Sequence, residues 1–340
     1  MKIAFFYTIY PITGGGNVHG YHLAKALSEN GCRLLSMNSD VPFVSYYKRS
    51  LINLLRMMYK SDVVYMRVPS LIRPASWLIL RLAKLLNKKI VGELNGPLDE
   101  LQFQGYDQEQ IKVAESKLSR FLQPLDHVIT VSPVMQQYIQ KDLDYQKTTV
   151  IPNGGKLLNG IGEADAETRK FFKKLREEFK SISIWSGTDY PWHGFGVLTE
   201  LTESVSKDHA FIIVSDAEEV LSRFAGQANI FVFHRMPREK LQQMIRLSDI
   251  GLVIYGDYSW SGIGFYGSSL KFHEYLCAGL SVVTNKAPEI ASDQVFYSEK
   301  TNELMDYINH YKPVQHQPTQ CRTWDDVAKE TMDVLTNLSF

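Results

Sequence analysis

The sequence has few of the features that mark specialised classes of protein. Its three cysteines are odd in number and far apart along 340 residues, so they form no disulfide framework and have no metal-ligand spacing. No apolar run approaches the ~18 to 20 residues of a membrane-spanning helix. Residues 1–10 are apolar but lack a small-residue cleavage site, and they predict a first β-strand rather than a signal peptide. Together these absences favour a cytoplasmic protein.

What the sequence does contain is an uneven distribution of charge. The net charge is zero, yet residues 1–150 carry 18 Lys and Arg against 12 Asp and Glu, and residues 151–340 carry 19 against 25. Within residues 44–90, ten basic residues face Asp62 alone: Lys48, Arg49, Arg56, Lys60, Arg67, Arg73, Arg81, Lys84, Lys88 and Lys89. The opposite signs predict different tasks for the two halves. No nucleic-acid-binding module accompanies the basic residues, so we expect no nucleic-acid partner.

Short apolar strands alternate with helices twice along the chain, which predicts an α/β fold of two Rossmann-like, doubly wound parallel-sheet domains. A polar, glycine-containing stretch at 153–165 marks the boundary between them. The predicted strands are Lys2–Tyr7, Arg33–Met37, Val63–Met66, Lys89–Leu94, His127–Val131 and Thr148–Ile151, followed by Ser181–Ser186, Ala210–Val214, Asn229–Phe233, Ile250–Tyr255 and Ser281–Thr284. The predicted helices include residues 18–30, 194–206, 238–247 and 269–278.

Ligands of open parallel sheets bind at the carboxyl ends of the strands, so the loops there hold the candidate site residues. Gly15 and Gly16, in a glycine turn after the first strand, let the backbone approach a ligand, although a tight turn without a ligand is the alternative. His193 and His234 are candidates by location alone.

The loop at 256–268 is rich in glycine and serine and precedes a helix. Its Gly-Ile-Gly-Phe-Tyr-Gly run matches the dinucleotide pattern formally, but six residues separate Tyr255 from Gly262. A nicotinamide dehydrogenase is therefore a minor alternative. The loop and helix start, with Gly267, Ser268 and Ser269, suit phosphate oxygens instead.

Lys271 and Glu274 lie on one face of the predicted helix. Lys271 is placed to neutralise a phosphate, and Glu274 to accept hydrogen bonds from vicinal hydroxyls such as those of a ribose. A solvated i,i+3 ion pair is the alternative interpretation. Asp142 and Asp144 resemble the metal-binding acidic pair of one class of sugar transferases, but surface carboxylates are common in such a polar stretch. We therefore predict no metal and no other cofactor.

Residues 268–283 resemble the most specific stretch of the retaining, nucleotide-sugar-dependent glycosyltransferases of family 4, which have the GT-B fold. Weaker matches to the same family occur in the expected order along the chain. In the first half they are Gly14–Gly16, His19, residues 23–27 with Gly31, residues 130–132 and residues 151–154, together with residues 62–67 and 93–98, which are similar to a subfamily with Tyr-x-Arg and Glu-x-Asn. In the second half they are residues 192–194, 248–252 and 324–326.

The resemblance implies two domains facing across a cleft: residues 1–155 on the acceptor side, residues 156–318 binding the nucleotide-sugar donor, and a final helix within 319–340 returning to the first domain. It implies that Lys271 contacts the donor diphosphate and Glu274 the ribose. Arg67 and Asn95 become catalytic candidates through the Tyr-x-Arg and Glu-x-Asn matches. The donor base is left open.

Two departures from the family pattern concern the donor site. Tyr266 stands where the family usually has a glutamate near the transferred sugar. Thr188 and His193 stand where it often has Arg and Lys, so Arg67, Arg235 or Lys271 is expected to supply the missing charge. A catalytically silent GT-B subunit that supports an active partner is therefore the alternative function.

Apolar residues at helical spacing accompany the basic ones within residues 48–89. Leu51, Leu54, Leu55 and Met58 are predicted to line one helix face. Basic helices of this kind lie on anionic membrane surfaces, although packing on the sheet with solvated lysines is the alternative. We therefore expect peripheral association with the inner face of the membrane. The expected acceptor is lipid-linked, as in cell-surface polysaccharide or glycolipid assembly.

Overall fold

A computed structural model describes residues 1–9, 15–157, 164–188, 190, 192–290, 292–314 and 321–338. The strands are β1 Lys2–Phe6, β2 Arg33–Ser36, β3 Val44–Tyr46, β4 Val63–Arg67, β5 Lys89–Glu93, β6 His127–Thr130, β7 Thr148–Val150, β8 Ser181–Gly187, β9 His209–Ser215, β10 Ile230–His234, β11 Ile250–Val253, β12 Ser281–Thr284 and β13 Val295–Tyr297. The helices are α1 Gly15–Glu29, α2 Leu51–Lys60, α3 Pro74–Leu85, α4 Gln108–Leu122, α5 Pro133–Lys141, α6 Ala166–Glu178, α7 Phe195–Ser204, α8 Glu218–Phe224, α9 Arg238–Leu247, α10 Leu270–Cys277, α11 Thr301–Asn309 and α12 Trp324–Leu338, with a 3-10 helix at Leu98–Gln104.

The strands form two entirely parallel sheets. The first has seven strands in the order β3-β2-β1-β4-β5-β6-β7, and the second has six in the order β10-β9-β8-β11-β12-β13. Each order reverses once, beside β1 and beside β8, as in doubly wound folds. The predicted α/β class with two doubly wound parallel sheets is confirmed.

Helices cover both faces of the second sheet. Apolar residues of α6, α9 and α10 pack on one face around Ile184 and Ile212. Apolar residues of α7, α8 and α11 pack on the other around Phe211 and Leu252. All seven residues of β9 are buried, which explains its nearly continuous apolar sequence.

Side-chain caps fix the starts of several helices. Ser50 accepts a hydrogen bond from the backbone N–H of Asn53 at the start of α2. Asp107 and Gln110 form a reciprocal capping box at the start of α4. Each cap satisfies backbone N–H groups that have no partner within the helix.

The chain divides into two compact units. The first comprises Met1–Asn153, Ser259–Ser268 and Trp324–Phe340, and the second comprises Gly154–Tyr258 and Ser269–Thr323. Residues 259–268 thus belong to the first unit, although residues 156–318 were predicted as one domain. Helix α12 packs on α1 within the first unit, where Asn30 also donates to Asp325 at 2.6 Å.

Several elements differ from the sequence predictions. Strands β3 and β13 and helices α6, α8 and α11 were not predicted. Helix α1 begins at Gly15, so Gly15 and Gly16 are its first residues rather than a preceding turn, while Gly14 lies outside the described residues.

The prediction that Leu51, Leu54, Leu55 and Met58 share one face of α2 is wrong. Leu54 and Met58 are buried, whereas Leu51 and Leu55 are exposed. Helix α2 therefore has two apolar sides, one packed inside the first unit and one facing outward. None of the helices in the described part of the chain is both long and apolar enough to cross a membrane.

Candidate functional site

Lys271 lies in the first turn of α10, whose Tyr275 packs directly against Gly251 of β11. Its Nζ lies 4.9 Å from the centroid of the Trp185 ring. The ammonium group is buried and has no hydrogen-bond partner among the described residues, and burial lowers the pKa of Lys271 to about 7. A buried cation without an acceptor is a position at which a bound anion would be stabilised strongly.

Gly187, the last residue of β8, lies close to this ammonium group. A Cβ atom there would lie 2.8 Å from the Trp185 ring and 3.3 Å from Nζ of Lys271. The close approach explains why a residue without a side chain ends this strand.

His193 lies beside Lys271 in the second unit. Its Nδ1 contacts the carbonyl oxygen of Thr188, so Nδ1 carries the proton and Nε2 remains an acceptor. Burial and the charge of Lys271 lower the pKa of His193 to about 3. His193 is therefore neutral and does not replace the cation that the family has at this position.

Glu274 lies one turn after Lys271 and is only 9% exposed. Its carboxylate forms an ion pair with Arg238, the first residue of α9. The alternative of a solvated i,i+3 pair between Lys271 and Glu274 is thus wrong. Sequence reasoning missed Arg238, although it predicted the helix that Arg238 begins.

The other predicted donor-binding residues of the second unit have different surroundings. His234 and Arg235 are exposed at the carboxyl end of β10, and Arg235 has a φ of +50°, which a residue with a side chain rarely adopts. Neither forms a described contact with Lys271 or Glu274. Ser269 is the N-cap residue of α10, but its side chain makes no capping hydrogen bond.

Gly267 and Ser268 belong to the first unit. The Ser268 hydroxyl accepts a hydrogen bond from the backbone N–H of Asn153 at 3.0 Å, and its carbonyl accepts one from Nδ2 of Asn153 at 2.6 Å. Tyr266, in the same segment, donates from its hydroxyl to Glu100. The Tyr266 carbonyl accepts from the Ser132 hydroxyl at 2.7 Å, so the segment 259–268 is anchored at several points.

A buried carboxylate, Glu93, is the centre of a polar cluster at the carboxyl ends of β1, β4 and β5. It accepts hydrogen bonds from Tyr7 at 3.1 Å, from Tyr65 and from Nδ2 of Asn95. Burial acts to raise the pKa of Glu93, but its neighbours outweigh burial and lower it to about 2; His19 has the strongest effect among them. Glu93 therefore stays ionised.

His19 links this cluster to the segment 259–268. Because Nδ2 of Asn153 donates to Ser268, Oδ1 of Asn153 faces Nδ1 of His19 at 2.6 Å. Nε2 of the same ring lies 2.8 Å from Glu93. Each ring nitrogen of His19 thus lies close to a side-chain oxygen, one from Asn153 and one from Glu93.

The two catalytic candidates of the first unit, Arg67 and Asn95, lie in this cluster. Arg67 donates from Nη1 to the Tyr7 hydroxyl at 2.7 Å, and its guanidinium lies over the Tyr7 ring. The structure thus brings Arg67 and Asn95 together around Glu93, the first residue of the Glu-x-Asn motif. Among the described residues, no group of three or more His, Cys, Asp or Glu side chains is arranged to hold a metal ion.

Comparisons with known proteins agree with this architecture. Residues 13–155 match the family model described as Glycosyltransferase Family 4. No curated protein matches the chain. Three solved structures illustrate the structural likeness, each covering nearly the whole of both chains.

Sucrose-phosphate synthase of Thermosynechococcus elongatus has a TM-score of 0.69 at 14% identity, covering 99% of this chain and 98% of that one. HepE of Anabaena, in complex with UDP-glucose, has a TM-score of 0.67 at 13% identity, covering 99% and 100%. WaaG, a glycosyltransferase involved in lipopolysaccharide biosynthesis, has a TM-score of 0.57 at 14% identity, covering 100% and 97%. At these identities the likeness establishes a shared fold.

Proposed function

We propose that this protein, a GT-B glycosyltransferase resembling family 4, transfers a sugar from a nucleotide-diphosphate sugar to an acceptor hydroxyl with retention at the anomeric carbon. The resemblance and the enzyme class predicted from the sequence are confirmed by the family match over residues 13–155 and by the shared fold. The donor class is supported by HepE, whose structure holds UDP-glucose.

One observation carries the proposal: the ammonium group of Lys271 is buried beside Gly187 and Trp185 and has no hydrogen-bond partner in the described part of the chain. A diphosphate is an anion with several acceptor oxygens, and it would supply the partner that Lys271 lacks. When the donor's glycosidic bond breaks, negative charge grows on the departing diphosphate. A preorganised cation in a water-poor pocket stabilises that charge more than it stabilises the ground state.

Glu274 fits the ribose of the same nucleotide, because it lies one helical turn from Lys271 and its carboxylate is held by the ion pair with Arg238. His193, neutral beside Lys271, offers Nε2 as a hydrogen-bond acceptor. We propose that no metal or other cofactor takes part, since the Lys271 ammonium group acts on the diphosphate.

The test is Lys271→Ala, with Lys173→Ala as the matched control. Lys173 is an exposed lysine on α6. We expect Lys271→Ala to slow release of nucleoside diphosphate from the donor by ~100-fold or more, while the control keeps the wild-type rate. Turnover of Lys271→Ala within a few-fold of wild type would contradict the assignment.

The second candidate function is a silent GT-B subunit that binds and supports an active glycosyltransferase. The observation in its favour is Tyr266, which stands at the position of a family glutamate and directs its hydroxyl to Glu100. Donor binding that depends on Lys271, without any release of nucleoside diphosphate, would favour this function.

We further propose a lipid-linked acceptor and a peripheral location at the inner face of the membrane, in cell-surface polysaccharide or glycolipid assembly. The support is the outer side of α2, defined by Leu51, Ile52, Leu55 and Tyr59, which are 58%, 65%, 39% and 77% exposed. Exposed basic residues flank it: Lys48, Arg49, Arg56 and Lys60. Apolar residues ringed by cations suit the surface of an anionic bilayer.

A further inference from the structure

We propose that Arg238 is a positioning residue that holds Glu274 for the vicinal hydroxyls of the donor's ribose and thereby makes the nucleotide site selective for ribonucleotides. This inference rests on the proposed function, since it assigns a role in recognising the same nucleotide. Arg238 occupies no position in the quoted family motifs.

The two carboxylate oxygens of Glu274 have different surroundings. Oε1 pairs with the Arg238 guanidinium, while Oε2 accepts no hydrogen bond from the described residues. The carboxylate is thus anchored through one oxygen and keeps the other available. An anchored, ionised acceptor is what hydroxyl recognition needs, because a carboxylate accepts and a sugar hydroxyl donates.

Arg238 is itself held rigidly. It begins α9, whose Leu241 and Met244 pack in the same apolar cluster as Phe272 and Leu276 of α10. The two charged side chains therefore extend from helices fixed to each other on one face of the sheet. Rotation of either carboxylate or guanidinium would break the pair.

The surroundings of Arg238 also distinguish this pair from an ordinary surface ion pair. Nε of Arg238 is buried and has no acceptor among the described residues. Burial lowers the pKa of Arg238, while Tyr275 acts in the opposite direction. A buried donor without an acceptor is costly, and the oxygen of a ribose hydroxyl would satisfy it.

The experiment compares the binding of ribonucleotides with that of their deoxy forms. UDP, GDP and ADP are titrated calorimetrically against the full chain, each beside its 2′-deoxy and 3′-deoxy counterparts. We expect the wild type to bind at least one ribonucleotide ~10- to 100-fold more tightly than its deoxy form, as expected for a hydrogen bond to a charged group. In Arg238→Met the ribonucleotide and its deoxy form should bind within ~3-fold of each other. In Arg238→Lys the ratio of the two affinities should lie between those of the wild type and Arg238→Met, because lysine keeps the charge but not the planar guanidinium group.

The matched control is Arg176→Met. Arg176 also pairs with a carboxylate in the second unit, at 2.8 Å from Asp249, but at the amino end of β11. The Arg176→Met variant should lose thermal stability but should still discriminate between ribose and deoxyribose. This separates a positioning role of Arg238 from a purely structural one.

Each outcome decides the inference. If Arg238→Met keeps the wild-type ratio of ribonucleotide to deoxynucleotide affinity, the inference is overturned and the proposed function stands. The same holds if the wild type binds nucleotide through Lys271 but does not distinguish ribose from deoxyribose. No binding of any of the three nucleotides overturns both. If Arg238→Met does not fold, an unchanged ratio in Arg238→Lys overturns the inference and a reduced ratio supports it.

Discussion

At the scale of single residues, the second unit contains two buried charged side chains, and burying a charge costs free energy unless the charge is paired. Lys271 has a buried ammonium group with no acceptor among the described residues, and the buried carboxylate of Glu274 pairs with Arg238. Both charges lie on one turn of α10. The free energy cost of burying Lys271 is recovered when an anion binds, so this residue links nucleotide affinity to pH.

Nucleotide affinity should fall as the pH rises from 7 to 9. In the free protein the pKa of Lys271 is about 7, so the ammonium form disappears across this range. A bound diphosphate favours the charged form, and binding at pH 8 must therefore take up a proton. We expect the affinity for UDP, or for the nucleoside diphosphate that binds best, to fall by up to tenfold per pH unit.

Calorimetry in buffers of different ionisation enthalpy measures the proton uptake directly. Lys271→Arg, which stays charged throughout, should show no such uptake if it binds. Affinity that is constant or that rises between pH 7 and 9 would argue against an unpartnered, titrating Lys271.

At the scale of elements, most of the strands and several of the helices were predictable, whereas the edge strands β3 and β13 were not. Helix α9 has its predicted bounds, 238–247, because its apolar residues repeat with helical spacing. Helix α2 was predicted as a helix but with the wrong apolar face. Its sequence has apolar residues on two sides, and only packing determines which side is inside.

The outer side of α2 should bind anionic membranes. In Ile52→Ser/Tyr59→Ser, recovery with anionic liposomes in flotation should fall by about tenfold or more, because two apolar side chains lose their burial in the lipid. The matched control is Val113→Ser, which removes an apolar residue 53% exposed on α4. High salt should weaken binding of the wild type, since screening reduces the attraction of the basic residues.

Equal recovery of the wild type with neutral and anionic vesicles would contradict an attraction between the basic residues and anionic lipids. An absence of binding to either would remove the membrane partner altogether, leaving the donor-site assignment untouched.

At the scale of the whole molecule, two doubly wound sheets supply two sets of loops with different chemistry. The first unit gathers an ionised carboxylate, Glu93, with aromatic and cationic partners. The second unit gathers Lys271, Glu274 and Arg238. The segment 259–268 comes late in the chain yet belongs to the first unit. A functional assay therefore needs the full chain.

The purified full chain should release nucleoside diphosphate from its donor without any partner protein, and EDTA should not reduce the rate. The physical reason is that the Lys271 ammonium group, rather than a metal, acts on the leaving diphosphate. Chromatographic assay of the released nucleotide checks both points. Loss of activity in EDTA, restored by Mg²⁺, would contradict metal independence, and turnover that appears only with a second protein would identify a supporting subunit.

The sequence by itself determined the alternation of strands and helices, because this depends on spacing within each element. It also determined the family resemblance, which rests on motifs along the chain and which singles out Lys271 and Glu274. Tertiary structure alone decided that Lys271 lies against Trp185 and that Arg238 pairs with Glu274. It likewise decided that His19 and Asn153 meet beside Glu93. These residues are distant in sequence, and local periodicity has no information on which elements pack together. Contacts of that kind follow from the order of strands in each sheet and from the face on which each helix lies.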